Sequence, residues 1–352
     1  MNANSIFSLH RMIKSLLCIV LLLTNANAQL VNSETGVFWL RNDGDDSNSG
    51  TSSAEAWQTL NHASTEISGG DILIIDGNGG PIDMAGQQVS FTSAAGLDGT
   101  RNQWTRIIGV NDATITASNP NTTYVILKLD ADYLELNNIT FDGNRGEPTY
   151  GSRYMIVRPE DQTVIGQTKN IRIVNCTFKD NAGISNNEDN TKYVYRLFIE
   201  HCSFANVRFA ISLETANFRS DLGSEVRIEN CSFYGDNNSG GWVYRSESAS
   251  NSGLTSFKNN IVSNFHTVFR THGTSWQAAA VENAFNLYNT YTTFDDDGNI
   301  TVNSTSKTGI DPLFVDPAND VLNIQASSPA IGFGALGQTI GFDKRSAIDA
   351  SY

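Results

Sequence analysis

Basic residues are scarce in this chain. Its 352 residues carry 23 Lys and Arg against 37 Asp and Glu, a formal net charge of −14. So acidic a chain is a poor general binder of nucleic acid or of an anionic membrane surface. Any polyanionic ligand would need a local basic stripe, and that stripe must be found in the sequence. Cysteine and proline are also sparse, at 4 and 7 residues. No His-Cys spacing resembles a zinc site, and no phosphate loop, nucleophile elbow or dinucleotide fingerprint is present. No apolar run is long enough to span a bilayer.

The longest such run, Ser15 to Leu23, follows Arg11 and Lys14 and precedes Ala26-Asn27-Ala28. This order reads as a signal peptide over residues 1–28 with Gln29 as the mature start. Cys18 follows Leu17, where a lipid-anchor signal would want a small residue, so export without an anchor is expected: a secreted protein, extracellular or periplasmic. Removing two basic and no acidic residues takes the formal charge from −14 to −16. Cys176, Cys202 and Cys231 remain, an odd number that excludes a fully paired disulfide framework.

These cysteines mark a repeat. Ile171-Arg-Ile-Val-Asn-Cys-Thr-Phe178, Leu197-Phe-Ile-Glu-His-Cys-Ser-Phe204 and Val226-Arg-Ile-Glu-Asn-Cys-Ser-Phe233 share one pattern, and Tyr133 to Phe141 precedes them with the same alternation. Weaker copies follow at Phe257–Val262 and Val281–Ala284. A turn position recurs at Asn138, Asn175, His201, Asn230, Asn259 and Asn283, with gaps of 37, 26, 29, 29 and 24 residues. A period-2 strand with a fixed turn residue at this spacing indicates a β-solenoid. The expected fold is all-β, a right-handed single-stranded parallel β-helix of roughly ten coils. The asparagines are expected to form a hydrogen-bonded ladder along one corner, and the cysteines a buried stack.

A helix over Glu55 to Ile67 is expected to cap the first coil through Trp57, Leu60, Ala63 and Ile67. Ile72 to Ile75 reads as a fully buried first strand. The mature chain is taken as a single domain over 29–352, with an N-terminal cap (29–70), regular coils (71–290), and irregular coils and a closing tail (291–352). Asp43, Asp45 and Asp46 lack the rest of a calcium loop and read as a turn. Asp295 to Asp297 read as a solvated turn outside the repeat.

Head and tail resemble known proteins. Arg41 to Thr51 with Ala56 to Leu60, and Asp311 to Asp316 with Ser327 to Gly332, resemble the entry and exit segments of secreted bacterial β-helix proteins of the pectate-lyase-like superfamily. Gly99-Thr100 with Trp104 to Gly109 resembles an early coil of the alginate lyase and chondroitinase B group. In that group a Lys on one coil and an Arg on the next act on an acidic sugar. Val268-Phe-Arg-Thr-His-Gly273 resembles the arginine segment with one residue inserted, which implies that Arg270 takes the arginine's place. Trp242 to Ser246 falls where the lysine coil would lie, but carries Arg245. The resemblance admits Ca2+ as a cofactor, yet Asn237 to Gly241 stands where its acidic ligands are expected.

β-Elimination of a uronic acid polymer requires neutralisation of the carboxylate, a base for C5–H and an acid for the leaving oxygen. Arginine suits the first role through its planar fork. Aligning Met155–Arg158, Ala210–Leu213, Trp242–Arg245 and Thr267–Arg270 places Arg245 and Arg270 on adjacent coils. Arg158 lies further along the same column, with Leu213 interrupting it. This column is the stripe that the acidic bulk demands. Arg270, Arg245, His272 and Tyr244 are the catalytic candidates, and Arg158 and Trp242 the substrate-binding ones. One feature counts against the column: strict alternation puts Val243 and Val268 on the arginines' face. The expected function is cleavage of an acidic polysaccharide by a monomeric polysaccharide lyase, with no nucleic-acid partner and no membrane insertion. A hydrolase of the same fold and a non-catalytic polysaccharide-binding or cell-surface protein are the alternatives.

Overall fold

The computed structural model describes residues 35–84, 87–116, 125–143, 155–159, 169–180, 182–185, 195–213, 225–236, 240–246, 254–271, 281–298 and 300–342. Residues 1–28, read above as a signal peptide, lie outside them. The described chain winds as a right-handed parallel β-helix with three strand-bearing faces. The first face is a nine-stranded parallel sheet that starts at Val37–Leu40 and ends at Glu282–Ala284. The second runs from Ile82–Asp83 through Ser232–Gly235, and the third from Val89–Thr92 through Trp242–Ser246. Strand Ile261–Thr271 pairs with both Ser232–Gly235 and Trp242–Ser246, so it joins the second and third faces.

Between the first and second faces the chain turns through a single left-handed residue. Asn138, Asn175, His201, Asn230 and Asn259 all have φ between 51° and 57°. Asparagine tolerates this conformation better than most residues, which accounts for the recurrence. The turn loses no backbone bond, because each corner N–H donates to the next coil, as Asn175 N does to Glu200 O at 3.1 Å. The expected corner ladder is replaced by another arrangement. Asn138 Nδ2 donates to Gly109 O, and Asn175 Nδ2 to Asn137 Oδ1. A buried asparagine ladder forms one position later, where Asn260 Oδ1 accepts from Cys231 N and Asn286 Oδ1 from Asn260 N, both at 2.8 Å. Asn283 is not a corner. Phe285 takes that place with φ 56°, while Asn283 is a buried strand residue that accepts from Tyr288 Oη and Asn286 Nδ2.

Parallel registry stacks like on like. Phe141, Phe178, Phe204 and Phe233 form a column of rings with centroids 4.8–5.0 Å apart and nearly parallel planes. That separation matches the interstrand spacing of a sheet, about 4.7–4.9 Å. Cys176, Cys202 and Cys231 are fully buried free thiols, and burial raises the Cys202 thiol well above its ordinary range. They should resist a thiol reagent in the native protein and react on unfolding, and reductant should leave the melting temperature unchanged. Rapid native labelling of two of them would contradict this packing.

The ends differ from expectation. Val37–Leu40 pairs with Ile72–Ile75, so the first face begins within the cap region, and Ile72 and Ile74 are only partly buried. The capping helix is shorter, Leu60–Glu66, with a 3-10 turn at Ser53–Glu55. Asp46 fixes its start by accepting from the N–H of Gln58 and Thr59 and the Thr59 hydroxyl, which explains that aspartate as a turn residue. The described part of the tail, to residue 342, lies against the side of the coils. Phe314, Leu322, Ala330 and Ile340 pack outside the coils on Ala205, Ile261 and Leu287. The far end is closed by strand Leu287–Asp295 and by Ile300, which joins the core.

Candidate functional site

The tail occupies the second face at its C-terminal coils. On the third face the registers define one column of positions: Ser90 pairs with Lys128, Lys128 with Arg158, Ser212 with Arg245, and Arg245 with Arg270. Ser185 pairs with Ser212 and carries the column across the remaining gap. Two residues therefore interrupt the cations, Ser185 and Ser212, and Leu213 is not in the column. The sequence alignment of that coil was off by one, since Phe209, not Ala210, pairs with Trp242.

Alternation does not exclude the arginines. Val243 and Tyr244 are both fully buried, as are Val268 and Phe269, and the next residue in each strand is partly exposed. Two successive residues enter the core before the chain emerges. This corrects the role given to Tyr244. Its ring has no exposure, and burial pushes the phenol well above its ordinary value of 10.0. A side chain so enclosed cannot exchange protons with a ligand on the outer face.

Arg245 and Arg270 both lie over the indole of Trp242, with guanidinium carbons 4.7 and 5.0 Å from the ring centroid. Trp242 packs on Phe209 at 3.9 Å between centroids, and Arg208 covers Phe209 at 4.9 Å. Two like charges in register repel. An aromatic face beneath both offsets part of that repulsion, by about 0.5–2 kcal/mol for each contact. With only 6% exposure, Trp242 is the floor of the site and not an open platform for a sugar ring. Its Nε1 has no hydrogen-bond partner among the described residues. The site is thus rich in donors and cations, a setting suited to a carboxylate.

The carboxylates assigned to a solvated turn belong to this site's border. Asp295 ends strand Leu287–Asp295 and pairs with Phe269. Its Oδ1 accepts from the Thr271 hydroxyl at 2.7 Å, and its Oδ2 from Ile300 N. Asp296 accepts from Thr271 N at 2.9 Å, and its Oδ2 lies 3.6 Å from Arg270 Nε. Burial outweighs these bonds for Asp295 and raises its carboxyl above the ordinary value of 3.8. Ionised Asp295 therefore opposes folding. The stability it contributes is fully present below 3.8 and is lost as pH rises through the raised value. Asp295→Asn should flatten this part of the melting profile; an identical profile for the two proteins would show that Asp295 is not the group.

Of the remaining candidates, Arg158 lies on strand Met155–Pro159 in register with Lys128, with its side chain outside the described residues, as is all of His272. The sequence reading overlooked Lys128, Arg208 and His266. Extending the strand alignment back to Val125–Asp130 would have found Lys128. His266 precedes Thr267, the partner of Trp242, and its Nδ1 is 3.1 Å from Thr267 Oγ1. Among the described residues no group of three or more His, Cys, Asp or Glu could hold a metal. Gly240 and Gly241, where the resemblance would put calcium ligands, offer no side-chain oxygen.

Fold and site together define a parallel β-helix with an in-register arginine pair on its third face. No family model matches the chain, and no curated protein matches it. It is similar to a solved rhamnogalacturonan lyase at 13% identity and TM-score 0.46, over 88% of this chain and 96% of that one. It is also similar to pectate lyase Pel9A at 14% identity and TM-score 0.34, over 90% and 98%. A third is a pectin methylesterase from Aspergillus niger, at 11% identity and TM-score 0.36, over 78% and 91%.

Proposed function

We propose that this chain is an exported, carbohydrate-active protein that binds an acidic polysaccharide across its third face and cleaves it by β-elimination. The observation that carries this reading is the in-register pair Arg245 and Arg270 above Trp242. Their guanidinium groups would take the uronate carboxylate, withdraw its charge and make C5–H acidic. A histidine then accepts that proton, with His266 and His272 as candidates. The released electron pair forms the C4=C5 double bond as the C4–O bond breaks, and the leaving oxygen is protonated from water or a protonated side chain.

A hydrolase is less well supported. Both Asp295 oxygens and one of Asp296 are already engaged in closing the coil end. A binder that stacks sugars on aromatic rings would need exposed rings at this site, and Phe209 and Trp242 are buried. Calcium is given no step.

The test is a screen of pectate, alginate and glycosaminoglycans with two readouts. Lyase action gives ultraviolet absorbance from the unsaturated product. New reducing ends without that absorbance would indicate a hydrolase, and affinity without either would indicate a binder. Activity abolished by a chelator and restored by Ca2+ would bring the metal back in.

A further inference from the structure

Arg208 stands one position before Phe209, and the registers put it in a column with Gly241 and His266. Trp242 N donates to Arg208 O at 3.0 Å, and Thr267 N to Gly241 O at 2.9 Å. Successive coils thus carry a guanidinium, a bare glycine and an imidazole at equal positions. The glycine is required there. A Cβ on Gly241 would stand 2.6 Å from Arg208 O and 3.4 Å from its Cγ, and one on Gly240 would stand 3.6 Å from its Nη2. The Arg208 side chain therefore runs along Gly241 and Gly240, with its guanidinium carbon 4.9 Å from the centre of Phe209. Phe209 packs on Trp242, and Trp242 carries Arg245 and Arg270. Arg208, Arg245 and Arg270 are each partly exposed, so three guanidinium groups that solvent reaches rest on one pair of rings. The first face uses the same coil spacing differently: it sets Arg172 against Glu135 and Glu200, and Arg227 against Glu229.

We infer that Arg208 is a second anion-binding position of this site, so that the site holds two acid groups of one polyuronate, one at Arg245 and Arg270 and the other at Arg208. This deepens the reading above and rests on it. Arg208 lies one coil before Arg245 and two before Arg270. Each coil advances about 4.8 Å, a length comparable with one sugar ring. A guanidinium fork at that remove meets the carboxylate of a neighbouring sugar. Bringing like charges onto one pair of rings raises their free energy, and a bound anion at each position lowers it. Arg208 holds a sugar that does not react, so it stabilises ground state and transition state alike and acts on KM.

The experiment uses the full mature protein with the monomer, dimer and trimer of galacturonate and of mannuronate. Affinity is measured by titration calorimetry, and turnover by steady-state kinetics on the polymer that is cleaved. The trimer should bind more tightly than the monomer, which offers a single carboxylate. Arg208→Ala should weaken the trimer roughly tenfold and leave the monomer bound as by the parent. Arg208→Gln keeps most of the stem beside Phe209 and loses the charge, so it should match the alanine variant, while Arg208→Lys should recover part of the affinity. On the polymer the loss should appear in KM rather than in kcat. Matched melting curves accompany each variant. Parent-like trimer affinity in both Arg208→Ala and Arg208→Gln would overturn the second position and leave the polysaccharide reading standing. A loss shared equally by monomer and trimer would do the same, since it marks a structural role. Absence of binding and of product with every oligomer would overturn both.

Discussion

Arg270→Ala is expected to lower kcat/KM on the cleaved polysaccharide by roughly 10²–10³-fold, the cost of removing one preorganised donor aimed at developing charge. The protein should remain folded. Arg270 is partly exposed, and among the described residues its ion pair is a long one, 3.6 Å to Asp296, so it adds little to stability. Arg270→Lys should recover part of the activity, because an ammonium keeps the charge but cannot form the two parallel bonds of a guanidinium. Activity of the unaltered protein should also fall with salt, since exposed charges are screened over about 8–10 Å at ordinary ionic strength. Steady-state kinetics with matched melting curves decide the matter. If Arg245→Ala, Arg270→Ala turns over as fast as the parent, this site is wrong and the fold is untouched.

The largest effect on stability should come from the phenylalanine column. Phe204 has no exposure and lies between two parallel rings, Phe178 and Phe233, each 4.8 Å away. Phe204→Ala removes contacts on both sides and leaves a cavity that rigid neighbouring coils cannot fill, at a cost of about 3–5 kcal/mol. Phe204→Leu keeps most of the volume and should cost clearly less. Chemical denaturation would register both as a shift in midpoint. A loss under 1 kcal/mol for the alanine variant would mean that the rings are not stacked as described.

These two expectations draw on different levels of information. Phe204 was legible in the repeat itself, because a solenoid places equal positions of successive coils on top of one another. Ile171 to Phe178 and Leu197 to Phe204 align by eye, and the structure pairs them residue for residue. The arginine pair was legible for the same reason. The two coils between Arg158 and Arg245 were not, since loops of unequal length separate them: strand Ala182–Ser185 was passed over, and a one-residue slip put Leu213 in the place of Ser212. Tyr244 was misjudged because alternation is a rule for a straight strand, and here two neighbouring residues both enter the core.

The sequence by itself determined the class of fold, the stacked phenylalanines and cysteines, and the left-handed corners from Asn138 to Asn259. Each follows from local chemistry repeated coil after coil: alternating apolar residues, and asparagine where φ must be positive. Only the tertiary structure decided what lies beside what across unequal loops. It placed Arg245 and Arg270 over one indole, brought Asp295 and Asp296 to the end of their column, and folded the tail onto the second face. Such neighbours come from different coils, or from segments far apart in the chain. Their proximity depends on the register and the path of the whole winding, which no local pattern encodes.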